Sequence, residues 1–193
     1  MSRILLIMPS VAVLLSAGPT ESGEAIDTQR SSITIHVGKA GVFAAVAHEH
    51  WVEATIASGK IDAVGALPSV RFKVDARKLS VKPEKGVSDK DQAEVQANIL
   101  TKVLESSAYP EIAFQSAQVR RNHDNTWRVS GDLTLHRVTK SLTLDVVRES
   151  GAYTGTTRIK QTDFGIQPIT IGGGVVKVKN ELEINFRVYT QAH

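Results

Sequence analysis

The chain has 193 residues, 41% of them hydrophobic and 22% charged, with a formal net charge of +3 and no cysteine. Length and balance suit one globular domain with its own core and argue against wholesale disorder. The missing cysteine excludes disulfides, thiolate metal sites, cysteine nucleophiles and a lipidated cysteine, and the interspersed charges leave no nucleic-acid footprint.

Residues 1–25 predict a secretory leader. Arg3 starts it, residues 4–15 are apolar apart from Pro9 and Ser10, and small residues follow near Ala17 and Ala25. The run is too short and too broken to span a bilayer as a helix. Its removal takes Arg3, Glu21 and Glu24, leaving 22 basic against 18 acidic residues, a net of +4, on a domain covering 26–193. Peripheral attraction to an anionic membrane surface stays open.

Most of the chain after residue 25 reads as strands. Ile33, Ile35 and Val37 alternate with Thr34 and His36. In "VAHEHWVEA" (46–54), His48 and His50 fall on one strand face, with Glu49 on the other. Val70, Phe72 and Val74 alternate with Arg71, Lys73 and Asp75. Trp127, Val129, Leu133 and Leu135 share a face, as do Leu142, Leu144 and Val146. The last run sets Val176, Val178, Leu182, Ile184, Phe186 and Val188 against Lys177, Lys179, Glu181, Glu183, Asn185 and Arg187. One buried and one wet face per strand means antiparallel pairing. Turn signals fall at "HVGKAG", "ASGK", "RNHDN", "HRVTK", "ESGAY" and "IGGG". Many short strands with one apolar face each predict a sandwich or a closed barrel.

Residues 88–110 break the pattern. Ser88 with Asp91 fits a capping box, and Val95, Ile99, Leu100, Val103 and Leu104 form an amphipathic stripe that ends before Pro110. This predicts a helix covering a barrel mouth or a sheet face; a helix that plugs a core without a cavity fits the pattern as well.

Chemistry-bearing motifs are few. There is no G-x-S-x-G, no G-x-G-x-x-G and no Walker loop; "IGGGVV" leads into a strand. No acid, base and nucleophile constellation assembles, so a non-enzyme is expected. His48 and His50 make a half-site for Zn²⁺ or Cu²⁺ that His36 or His136 could complete. The competing reading places His48 inside a barrel, as a polar point for a ligand head group or a backbone carbonyl, with His50 nearer the rim.

"GDLTLHRVTKSLTLDV" (131–146) resembles the signature hairpin of the YceI-like family through Gly131, Leu133, Thr134, Leu135, Val138, Thr139 and Lys140. Arg137 replaces the usual turn glycine and Ser141 the usual proline. "YPEIAFQS" (109–116), "TDFGI" (162–166) and His48 in "VAHEHW" support the match in order. The Arg-Asp pair followed by "HL" that many members carry before the helix is absent, so no role of that pair carries over. The resemblance implies an all-β fold: an extended, eight-stranded, antiparallel lipocalin-like barrel with one inserted amphipathic helix. It also implies secretion or a periplasmic location, and a long-chain isoprenoid or similar amphiphilic lipid in the barrel, with no resident cofactor.

The residues expected to line such a cavity are Val46, His48, Phe72, Val95, Ile99, Leu100, Leu104, Phe114, Leu133, Leu135, Phe164, Ile166, Leu182, Ile184 and Phe186; each also reads as plain core. Burying a CH₂ is worth about 0.8 kcal/mol, so two or three isoprene units support roughly micromolar binding after association costs. A stress-response or interaction module with an incidental cavity is the alternative. Edge strands at a barrel seam would let two copies pair as a homodimer.

Overall fold

A computed structural model describes residues 23–40, 49–63, 67–171 and 176–191. Residues 1–22 of the expected leader, Val46 and His48 lie outside the described residues; the last two positions of that leader, Glu24–Ala25, pair with Ile61 and Lys60. Twelve strand segments occur within them: β1 (Glu24–Ala25), β2 (Ser32–Ala40), β3 (His50–Ala54), β4 (Ile56–Asp62), β5 (Ser69–Asp75), β6 (Ser80–Val81), β7 (Glu111–Arg121), β8 (Thr126–Leu135), β9 (Val138–Glu149), β10 (Ala152–Lys160), β11 (Thr170–Ile171) and β12 (Val176–Val188). All their pairings are antiparallel, and the path runs β1-β4-β5-β7-β8-β9-β10-β12-β2-β3-β6, with β11 on β12.

Twelve segments build eight walls. Only Thr55 separates β3 from β4, so the two are halves of one bent strand. The first half pairs with β2 and the second with β5, and this closes the sheet on itself. The remaining short segments are trimmings: β6 lies on β3, β1 on β4 and β11 on β12. At one end the segments around Ile26 and Thr190 strap the seam. Ile26 bridges Thr190, and the Asp27 amide donates to the Tyr189 carbonyl at 2.8 Å.

The alternation read from sequence sets the inside. Val52, Val74, Phe114, Val129, Leu133 and Val146 are all buried at 9% exposure or less and belong to one continuous core. Outward neighbours pair across strands, as Arg128 does with Asp145 and Arg158 with Glu183.

Two turn assignments need correction. "ASGK" lies inside β4, where the register shifts between Ile56 and Ser58, so a bulge takes the place of a turn. "HVGKAG" is strand as far as Ala40. The hairpin turn of "HRVTK" is only His136 and Arg137, both at positive φ. "IGGG" lies outside the described residues beyond Ile171.

The inserted helix α1 (Asp89–Asn98) begins as expected: the Ser88 hydroxyl accepts from the Asp91 amide at 3.1 Å and donates to its carboxylate at 2.7 Å. It continues as a wider π-helical turn, Ile99–Val103, in which the Leu104 amide donates to the Ile99 carbonyl at 2.9 Å. The extra residue in that turn rotates Leu104 back onto the barrel, where it is 8% exposed. Gln96 ties the helix to the strands: its amide oxygen accepts from the Val81 N–H at 2.7 Å and its amide nitrogen donates to the Leu79 carbonyl at 2.8 Å.

Candidate functional site: an apolar cavity in the barrel

The inward rows of the eight walls do not meet in the middle. They enclose a cavity of about 380 Å³ whose surface is almost wholly apolar. This lies at the lower end of the range for small-molecule sites, roughly 300–1,000 Å³. Ile33, Ile35 and Val37 of β2 face Val129, Leu142 and Leu144 of β8 and β9 across it, and Leu182, Ile184 and Phe186 of β12 complete that side. Phe72 and Phe114 stack at 5.6 Å on the wall formed by β5 and β7. From α1 and its π turn come Val95, Ile99, Val103 and Leu104.

The two ends differ. One is closed by Trp127 and Tyr153, packed edge to face at 5.5 Å, with Ile26 and Val188 beside them, all at 8% exposure or less. Among the described residues, the Trp127 indole N–H is the one buried side-chain polar group without a hydrogen-bond partner. The other end lies under α1 and carries His50, Glu94, Asn98 and Gln161; Asp62 and Ser69, paired across β4 and β5, are polar lining away from it. Gln161 is 4% exposed and donates to the Lys179 carbonyl at 2.8 Å. His50 Nδ1 lies 2.9 Å from Glu84 Oε1.

Of the residues expected from sequence, Phe72, Val95, Ile99, Leu104, Phe114, Leu133, Leu135, Leu182, Ile184 and Phe186 line the cavity. Leu100, Phe164 and Ile166 are not part of its surface; they pack in and against the core, Phe164 and Ile166 at 2% and 3% exposure. Several lining residues escaped that reading, among them Val52, Val119, Leu144 and Ile159. For Val52, Val119 and Leu144 the signal was the same inward alternation that identified their neighbours; Ile159 follows Gly155 and Thr157 in its row and had no such signal.

The metal half-site loses one proposed ligand. In the β2–β3 register Val37 sits opposite His50 and His36 opposite Trp51, so His36 and His50 project to opposite faces. His36 instead stacks on Trp51 at 4.5 Å and bonds Glu49 at 2.9 Å on the outer surface, holding the Glu49 carboxyl below its usual range. His136 sits in the β8–β9 turn, 3.3 Å from Glu105 and edge-on to Tyr109. Among the described residues no three His, Cys, Asp or Glu side chains converge as a metal site. A second, more open depression over β4, β5, β7 and β8 has a mixed lining, in which Lys73, Gln115 and Thr134 stand beside Ala113 and Ala117.

The comparisons agree with this architecture. A family model described as the YceI-like domain matches residues 25–190. A "UPF0312 protein" of Pseudomonas savastanoi is 30% identical over 125 residues, 59% of this chain and 63% of that protein. The chain thus spans under two thirds of that relative's length. Among solved structures, a polyisoprenoid-binding domain from Saccharophagus degradans implicated in plant cell wall breakdown superposes with a TM-score of 0.61 at 15% identity, covering 90% of this chain and all of that one. BcnA of Burkholderia cenocepacia gives 0.58 at 19% identity, covering 84% and 98%. At these identities the two structures share the fold.

Proposed function

Because the chain belongs to the YceI-like domain family, we propose that it is a non-catalytic carrier that holds a single-chain isoprenoid or similar amphiphile inside its barrel. The observation that carries this is the cavity itself: about 380 Å³ walled mostly by aliphatic and phenyl side chains, with few polar groups on its surface. Such a surface gains little from a polar solute and about 0.8 kcal/mol from each CH₂ it removes from water. The volume suits one chain of a few isoprene units. The polyisoprenoid-binding description of the Saccharophagus degradans domain supports the same class. Export to the periplasm or beyond fits the pattern of residues 1–25, and sequencing the N-terminus of the exported protein tests it.

Organic extract of natively purified protein, analysed by mass spectrometry, should contain an isoprenoid or other long-chain amphiphile. Delipidated protein should gain thermal stability on adding geranylgeraniol, by about 2.7 kcal/mol at a hundredfold excess over Kd. Ile184→Trp, which fills the cavity from β12 between Ile35 and Thr157, should fold and show no such gain. Absence of any bound amphiphile, together with no thermal shift, sinks the carrier reading.

A further inference from the structure

β9 and β10 share only three registered pairs: Ala152 with Glu149, Tyr153 with Arg148 and Thr154 with Val147. Away from that hairpin each strand stays paired on its other side, β9 with β8 as far as Val138 and β10 with β12 as far as Lys160. The two neighbours therefore part beyond Thr154 and leave a slot in the barrel wall. Gly155, one residue past the last registered pair, still lies close to β9: a Cβ there would stand 2.7 Å from the Asp145 carbonyl oxygen.

The flanks of the slot are not ordinary edge strands. Their inner rows carry Leu142, Leu144, Thr157 and Ile159, all only partly buried and all lining the cavity. Lys140 occupies the next position in the inner row of β9, opposite Leu133 of β8, and yet is exposed. A charge in a row that otherwise reads Val138, Leu142, Leu144 and Val146 is tolerable where its stem follows the wall and its ammonium reaches water. An inward-row lysine also blunts an open strand edge against pairing with another chain. Beyond Lys160, the turn at Gln161–Phe164 stoppers the slot with the buried Phe164 and Ile166.

We infer that the slot between β9 and β10 is the portal through which the chain of the amphiphile enters the cavity, leaving its head group in water beside Lys140. This rests on the carrier reading above. One barrel end is closed by Trp127 and Tyr153, and the other lies under α1, tied down through Gln96. The slot opens the same apolar surface sideways without moving either.

The test uses Ser141→Cys/Lys160→Cys, two outward positions on opposite flanks in a chain with no other cysteine. A bis-maleimide spacer joins the thiols; the control carries both thiols capped singly. Loading of dansyl-tagged geranylgeraniol is followed by stopped-flow fluorescence. The cross-linked protein should load at least about tenfold more slowly than the control and reach the same final occupancy. It should stay slow when Gln96→Ala is added. Equal rates in cross-linked and control protein overturn the portal and leave the carrier reading intact, as does fast loading restored by Gln96→Ala, which would put entry under α1. Failure of the control to take up the probe removes the carrier reading and the portal together.

Discussion

His50 Nδ1 and Glu84 Oε1 meet at 2.9 Å on the rim of the cavity, joining the first residue of β3 to the segment that leads from β6 to α1. Both side chains are largely covered, at 22% and 18% exposure. An ionised carboxylate only accepts, so the bond to Glu84 requires the His50 tautomer with its proton on Nδ1. The contact spans 34 residues of sequence, and its loss frees a connection that carries the helix. A double-mutant cycle with His50→Ala and Glu84→Ala, read by urea unfolding, should show a coupling of about 1 kcal/mol. Additive single effects would mean that the pair contributes nothing to the rim.

Gln96 is the second tie. It satisfies the Val81 amide and the Leu79 carbonyl at once, one in and one just before a two-residue strand that pairs with β3. Gln96→Ala leaves both backbone groups without that partner and should cost about 1–3 kcal/mol. Gln96→Glu keeps the acceptor and loses the donor, so it should fall between. Hydrogen exchange at the Val81 amide reports the loss directly; unchanged protection in Gln96→Ala would refute the tie.

The sequence displayed its barrel where one inner row was uniformly apolar, as in β2, β8 and β12. It hid β10, whose inner row is Tyr153, Gly155, Thr157 and Ile159. Phe186 crowds Gly155, with the ring carbon Cζ 2.5 Å from where a Cβ would stand, and Thr157 lines the cavity. Tertiary packing thus removed the alternation that betrays a strand. Gly59 did the same to β4: it admits the Ile26 side chain and the Arg71 carbonyl, yet beside Ser58 it reads as a turn. At the site, alternation identified Phe72, Leu133 and Ile184 as inward. It could not separate these cavity walls from Phe164 and Ile166, because an apolar residue filling a seam looks the same in sequence as one facing empty space.

Asp75 offers a pH test of the turn that leads from β5 toward β6. Its carboxylate accepts from Arg77 Nε and Nη2, each at 2.8 Å, and from the Arg77 amide at 3.0 Å. The guanidinium hydrogen bonds hold its pKa down to about 2, from an ordinary 3.8. A depressed acid pKa stabilises the folded state above the unfolded value, and that stability is lost as pH falls through the folded one. The stability gap between wild type and Asp75→Asn should therefore be flat above about pH 5 and close as pH drops from 3.8 toward 2. Carboxyl-detected NMR should place the Asp75 midpoint near 2. A midpoint at the ordinary value would show that Arg77 is not bound in solution.

Gly155 brings stability and access into one substitution. An alanine there must displace the Asp145 carbonyl of β9 as well as the Phe186 ring, from 2.7 Å and 2.5 Å. The ring can turn; the carbonyl belongs to a strand held along β8 and can yield only by moving β9 outward. Gly155→Ala should thus cost about 1–3 kcal/mol by overpacking. It should also widen the slot and speed loading of the tagged prenol. Gly151→Ala, in the hairpin turn of the same two strands, is the contrast. Nothing lies within 4 Å of its Cβ position, and its penalty comes only from a φ of +79°, about 1 kcal/mol. Gly151→Asn should recover part of that loss, since asparagine tolerates left-handed backbone. If Gly155→Ala and Gly151→Ala lose similar stability and load at the wild-type rate, the close approach at Gly155 does not set the width of the slot.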